Sequence, residues 1–319
     1  MPVLPELEAL LERIRAADGR FDSLPLAERR AMVHQGIDAQ LEHVVDPVPA
    51  APYSDHVVAV DGGQITVRLY RPESGTTPGC HLYVHGGGWW MGTLDQSDLA
   101  CSRIVNAVGC AVASVDHRLA PEHPYPDPVE DCYAALVWLA SNAAELSLDP
   151  ERFSLGGVSS GANLITGAAL CARDRGTPAT IALTLEVPIL DLTLTTGLID
   201  ELGERYMLTR ERLAAEVSDY CEPSRREEPY ASPLLAEDLS GLPPTLVAVA
   251  EYDLLRGDGE RFVSRLEAAG VSARGVRMQG HLHGSLGMTR LVPSAHGWHE
   301  RMHAFLRLRH TSVDDASAR

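Results

Sequence analysis

Two short stretches of this chain carry groups that could do acyl chemistry. At the end of the apolar run His81-Leu82-Tyr83-Val84 the sequence reads His85-Gly86-Gly87-Gly88. A strand that ends in three glycines can bring its backbone against a ligand with no Cβ in the way. The N–H groups of Gly87 and Gly88 are then free to point at a developing negative charge. Main chain builds an oxyanion hole in this way, and such a hole is often the largest single contribution to acyl-transfer catalysis. Further on, Gly157-Val158-Ser159-Ser160-Gly161 follows the run Arg152–Leu155 and precedes an apolar, helix-forming stretch. G-x-S-x-G between a strand and a helix sets a serine on a tight, strained turn with its hydroxyl exposed. A Cβ two residues before or after that serine would clash across the turn. The frame selects Ser159, because Ser160 would need glycines where the chain has Val158 and Ala162. The helix starting near Ser160 adds its N-terminal dipole, and the Ser160 N–H is a third oxyanion donor. Either motif alone is a weak signal in a Gly-rich chain; the pair is a strong one.

Holding a glycine loop beside a serine turn needs a rigid frame. Apolar runs at Cys80–Val84, Ala111–Val115, Arg152–Leu155, Ile181–Val187, Thr245–Ala250 and Arg274–Met278 read as strands. Asp61-Gly62-Gly63, between His56–Val60 and Gln64–Tyr70, reads as the turn of a β-hairpin. Asp127-Pro128-Val129-Glu130 supplies an N-cap, a first-turn proline and an acidic third residue for a helix through Leu139. Glu260–Ala269 and His296–Leu308 read as further helices. Strand–helix alternation with right-handed crossovers predicts an α/β fold, a mostly parallel central sheet with helices on both faces. Residues 1–50 read as amphipathic helix, with Leu7, Leu10, Leu11 and Ile14 on one face, and Pro47–Pro52 breaks that pattern. Residues 195–225 interrupt the rhythm with a polar, helix-prone insertion, and 310–319 read as a loose tail. Residues 51–194 and 226–309 are then the two parts of the core.

Composition narrows the chemistry. At 319 residues, a chain can bury about 75% of its unfolded surface, so a large core forms without disulfides or metal. All 27 basic residues are arginines, which excludes pyridoxal-phosphate Schiff bases, Ser–Lys dyads and the P-loop lysine. A formal net charge of −17 argues against nucleic acid or an anionic membrane as partner. Cys80, Cys101, Cys110, Cys132, Cys171 and Cys221 show no CxxC spacing and mostly lie in apolar segments. They read as free buried thiols in a reducing cytoplasm. The first twenty residues carry Glu6, Glu8 and Glu12 and lack an apolar h-region, so no signal peptide is expected. No run approaches the ~18 uncharged apolar residues of a membrane span. The sequence leaves a homo-oligomer open.

With these residues assembled, the chain resembles the bacterial hormone-sensitive-lipase-like family of α/β-hydrolase esterases. The match is carried by His85-Gly86-Gly87-Gly88-Trp89, Asp116-His117-Arg118-Leu119-Ala120-Pro121-Glu122, Gly157–Leu164 and Ala250-Glu251-Tyr252-Asp253-Leu254-Leu255-Arg256. Similarity runs from about residue 55 to 308 and includes Ser232-Pro233-Leu234-Leu235. The resemblance implies an α/β-hydrolase fold with a helical cap, to which the N-terminal segment contributes. It implies a serine carboxylesterase that cleaves small to medium acyl esters through an acyl-enzyme, with no metal or organic cofactor.

That fold places its triad in the order serine, acid, histidine. Gly280-His281-Leu282-His283-Gly284 follows the last strand, and the family's G-x-x-H-G pattern picks His283 over His281. A histidine suits the base because its pKa lies near working pH. Glu251 and Asp253 both stand at the end of Thr245–Ala250. The family's D-P-L-R-D pattern aligns with Asp253, which would fix the imidazole tautomer, while Glu251 is expected in a structural ion pair. Arg118 is expected to pair with a carboxylate in its own segment. The chain departs from the family at Val158, Ser160, Leu254, Gly257 and Ser285, none of which removes a catalytic atom. Trp89 and Trp90 fit either the pocket or the core.

His299-Glu300-Arg301-Met302-His303 matches the zincin pattern H-E-x-x-H, but no third ligand follows at a usual spacing. A solvent-exposed final helix is expected there instead. Two other functions share the esterase scaffold. An acyltransferase, amidase or cyclase of small-molecule biosynthesis would use the same acyl-enzyme, and a non-catalytic binding protein, as in the plant gibberellin receptors, would lack the catalytic histidine.

Overall fold

In the computed structural model, residues 2–16, 24–73, 78–202 and 206–311 are described. Two helices, α1 (Pro5–Ala16) and α2 (Leu26–Val44), precede the hairpin β1 (Tyr53–Val60) and β2 (Gly63–Tyr70). Then strands and helices alternate: β3 (Cys80–Val84), α3 (Leu94–Val108), β4 (Ala111–Asp116), α4 (Asp127–Ser141), β5 (Phe153–Val158), α5 (Ser160–Arg175) and β6 (Ala182–Glu186). The short α6 (Gly197–Leu202) and α7 (Arg210–Tyr220) intervene before β7 (Thr245–Tyr252), α8 (Arg256–Ala268), β8 (Ala273–Leu282) and α9 (His296–His310). The strands form one sheet in the order β1-β2-β4-β3-β5-β6-β7-β8, antiparallel through β1, β2 and β4 and parallel from there on.

The central strands are mostly apolar because both faces are covered. On one face Leu136 of α4, Leu164 and Ile165 of α5 and Phe262 of α8 pack with Leu82, Leu155 and Val247. On the other, Ile104 and Val105 of α3 and Trp298, Met302 and Leu306 of α9 pack with Val112 and Ala248. Leu7 and Leu11 of α1 are buried against Leu282 and Val292; the Ile14 side chain lies outside the described residues, as do positions 312–319 of the tail. All six cysteines are buried and free. Among the described residues, no helix is long and apolar enough to cross a membrane.

Several elements differ from the sequence expectations. Strand β5 runs to Val158, so the glycines before Ser159 belong to the strand itself. Helix α3 was not anticipated, although Thr93 accepts from Gln96 N at 3.3 Å and Gly109 closes it in the left-handed conformation; both are readable cap signals. Helix α4 starts at Asp127 with Pro126 as its cap residue and no side-chain cap bond. The Asp127 carboxylate turns instead to Arg118 and His123, each at 3.3 Å. Helix α9 is not solvent-exposed: Trp298, Met302 and Leu306 make a stripe at helical spacing, and His299 and His303 are buried beside it.

Arg118 does pair within its segment, donating from Nε and Nη2 to Asp131, the shorter bond being 2.7 Å. Asp131 is fully buried, and a buried carboxylate that loses its cation is costly. Arg118→Ala is expected to lower unfolding stability by about 3–5 kcal/mol, read from urea unfolding midpoints.

Candidate active site

The turn after β5 is tight because two backbones pass through it. A Cβ at Gly161 would stand 2.3 Å from His85 O and 2.4 Å from Val84 O, and one at Gly157 would stand 2.5 Å from Gly161 O. Between them Ser159 holds φ 55° and ψ −119°, a strained conformation for a non-glycine residue that clusters at functional sites. Its N–H is anchored to Glu186 O at 2.8 Å. The turn thus places Ser159 Oγ at the C-terminal edge of the sheet, beside the loop that leaves β3.

Two further loops meet it there. Ser159 Oγ lies 3.0 Å from His283 Nε2, and His283 Nδ1 lies 2.8 Å from Asp253 Oδ2. Because a carboxylate only accepts, Nδ1 carries the proton and Nε2 is left to accept from the serine hydroxyl. Asp253 follows β7 immediately; it is buried, and its other oxygen accepts from Leu255 N at 2.9 Å. Burial pushes the His283 imidazole down, but the Asp253 carboxylate and its hydrogen bond, aided by Glu216 and Glu186, push it up more strongly, and the net pKa lies above the ordinary value. Asp253 therefore favours the protonated form of the His283 imidazole.

Gly87 and Gly88 have φ of 133° and 58°, which turns the loop back over Ser159. Among the described residues no backbone acceptor takes the N–H of Gly87, Gly88 or Ser160, so all three donors are free for a substrate oxygen. Ser160 Oγ, by contrast, is buried with no partner. A cavity of about 330 Å³ opens above, lined by Gly87, Gly88, Ser159 and His283 below and by Leu208, Leu213 and Glu216 above. A second of about 350 Å³ lies on the other side of Gly86 and Val158, under Leu41 and Leu99, with Arg103, Glu186 and His299 among its lining. Burial pushes the Glu186 carboxyl up to about 7, and its Oε2 accepts from Trp298 Nε1 at 2.6 Å.

The rival candidates take other roles. His281 is buried, its ring nitrogens 2.9 Å from Ser285 Oγ and Ser294 Oγ, and burial lowers it to about 4. Glu251 accepts from Gly280 N at 2.7 Å, tying β7 to β8. His299 Nε2 donates to Leu286 O, and among the described residues no cluster of three metal-type side chains forms. Trp89 is core, stacked on Tyr220; Trp90 Nε1 donates to Glu216 at 3.1 Å. Glu216 and Glu186 were missed by the sequence reading, and the only signal for either was an acidic residue within a stretch already marked as strand or insertion.

Residues 81–287 match a family described as alpha/beta hydrolase fold. Over 267 residues the chain is 35% identical to an arylesterase of Saccharolobus solfataricus, covering 81% of this chain and 85% of that protein. It is 36% identical over 297 residues to the carboxylic ester hydrolase LipN of Mycobacterium tuberculosis, covering 90% and 78%. A hyperthermophilic esterase from Pyrobaculum calidifontis has the same fold at a TM-score of 0.90 and 34% identity, with 96% and 98% of the two chains covered.

Since Nε2 must be unprotonated to accept a proton, activity is expected to fall as pH drops through a value above the ordinary imidazole pKa of about 6.5. The acid limb of kcat/KM measures it. Ser160→Ala, which keeps the N–H and removes an unpartnered buried hydroxyl, is expected to change stability by no more than about 1 kcal/mol and in the favourable direction, read by thermal unfolding.

Proposed function

Because the chain belongs to the hormone-sensitive-lipase-like family of α/β-hydrolase esterases, we propose that Ser159, His283 and Asp253 are its catalytic triad in the hydrolysis of small to medium acyl esters. As a member of that family the chain is a carboxylic ester hydrolase. The observation that carries the assignment of residues is the continuous hydrogen-bonded line from Ser159 Oγ through His283 to the buried Asp253, at 3.0 and 2.8 Å.

Ser159 Oγ attacks the ester carbonyl carbon as its proton passes to His283 Nε2. The carbonyl oxygen takes the negative charge and is held by the N–H groups of Gly87, Gly88 and Ser160. Collapse expels the alcohol, which leaves with the proton from His283, and Ser159 remains acylated. Water, deprotonated by the same nitrogen, adds to the acyl carbon, and collapse releases the acid as Ser159 Oγ takes that proton back from His283. Asp253 keeps Nδ1 protonated throughout and takes no proton itself. No step calls for a metal or organic cofactor.

Two cavities that share Gly86 and Val158, one of them lined by Ser159, support an ester with two arms of modest size, one for the acyl group and one for the alcohol. Ile37 of α2 and Leu213 of α7 line the cavity over the triad, which supports reading residues 1–50 and 195–225 as the cap. Six buried free thiols support the cytoplasm as its compartment. The hydrogen-bonded triad supports catalysis over a binding-only scaffold.

Treatment with a fluorophosphonate is expected to add one adduct, mapped to Ser159, and short p-nitrophenyl esters are expected to turn over. Ser159→Ala should lose both, with kcat reduced by about four to six orders of magnitude and the unfolding curve unchanged. Labelling at Ser160, or activity surviving in Ser159→Ala, overturns the assignment.

A further inference from the structure

The cavity over Ser159 holds one carboxylate that a neutral ester does not need. Glu216, from α7, leans on the oxyanion loop so closely that a Cβ on Gly88 would meet its Oε2 at 2.6 Å. Its Oε1 accepts from Trp90 Nε1 at 3.1 Å and from Arg212 Nε at 3.0 Å. The two charges of that pair are not equally exposed. Both line the cavity over Ser159 and the outer groove beside it, but the Glu216 side chain is 12% exposed and that of Arg212 43%. Water screens the more exposed guanidinium more than the carboxylate, so Arg212 offsets the Glu216 charge only in part. Beyond this pair and the groups around Ser159 and His283, the wall is apolar, with Ile37, Ile189, Met207, Leu208 and Leu213.

A fixed anion beside the oxyanion loop opposes the charge that develops on the carbonyl oxygen. A positive charge on the substrate removes that opposition and gains the attraction of Glu216. We infer that Glu216 is a specificity-determining residue that makes esters bearing a quaternary or primary ammonium the preferred substrate class. The inference rests on the esterase reading above.

The test uses two isosteric series with the full chain. On the alcohol side it compares choline acetate with its uncharged tert-butyl isostere. On the acyl side it compares the p-nitrophenyl esters of trimethylammoniobutyrate, of its tert-butyl isostere and of glutarate. In at least one series the cationic ester is expected to exceed the neutral one in kcat/KM by about tenfold, and the glutarate ester to fall about tenfold below its neutral partner. Glu216→Gln keeps an acceptor for Trp90 and should collapse the cationic preference toward unity while raising turnover of the glutarate ester. Arg212→Gln, which frees the carboxylate, should widen the preference. A ratio near unity in both series of the unaltered protein, or an unchanged ratio in Glu216→Gln, overturns the inference and leaves the esterase reading standing. Should Glu216→Gln no longer react with fluorophosphonate, Arg212→Gln decides: a wider ratio supports the inference and an unchanged one overturns it. Failure of the unaltered protein to hydrolyse any of these esters overturns both readings.

Discussion

The whole site depends on one crowded crossing of backbone. The first turn of α5 passes so close to the end of β3 that position 161 has no room for a side chain, and position 157 is closed off by the same turn. That contact fixes three things together. It sets the direction of the serine hydroxyl, it aims the free N–H of Ser160, and it locks the glycine loop beside both. The Ser160 N–H, the glycine loop and the Ser159 hydroxyl are therefore positioned by the same close contacts. Preorganisation of this kind lets backbone dipoles stabilise charge without reorganising during the reaction. The strain held at Ser159 is offset by the sheet around it, which is buried on both faces.

Electrostatics is layered on that frame. His283 sits among three carboxylates: Asp253 in contact, with Glu216 and Glu186 further off. Asp253 is bonded to the ring and sets its tautomer. Glu186 lies behind the serine turn, its carboxyl bonded to the Trp298 indole and its own carbonyl taking the Ser159 N–H. Glu216 comes from the opposite side, over the glycine loop. A net charge of −17 is therefore not confined to the solvent surface; part of it surrounds the imidazole.

What the sequence disclosed was whatever local geometry writes into adjacent residues. Gly87 and Gly157 are demanded by nearby backbone, at Met91 O and Gly161 O, while Gly86 and Gly161 are demanded by the other motif, at Val158 O and His85 O, so each motif was legible as a glycine pattern and the pair supported each other. His283 over His281 and Asp253 over Glu251 needed the family pattern, because each pair differs only in which loop residue faces the serine. The cap signals of α3 were present at Thr93 and Gly109 and were passed over. Helix α9 was misjudged because its histidines and arginines make it look polar, while its apolar stripe at 298, 302 and 306 is narrow. Glu216 was not legible: its importance arises only when α7 is laid across a loop more than a hundred residues away in the chain, and no short pattern encodes that.

The bond from Trp298 to Glu186 bears on the order in which the molecule becomes whole. Glu186 is buried and its carbonyl takes the N–H of the serine turn on the adjacent strand, yet its side-chain partner belongs to the last helix described. During synthesis every strand of the sheet emerges before that helix does. Until Trp298 docks, the back of the serine turn carries a carboxyl group without its donor, a costly state in an apolar setting. The molecule is thus closed from its end, and a nascent chain short of α9 has Ser159, Asp253 and His283 without the wall that supports them.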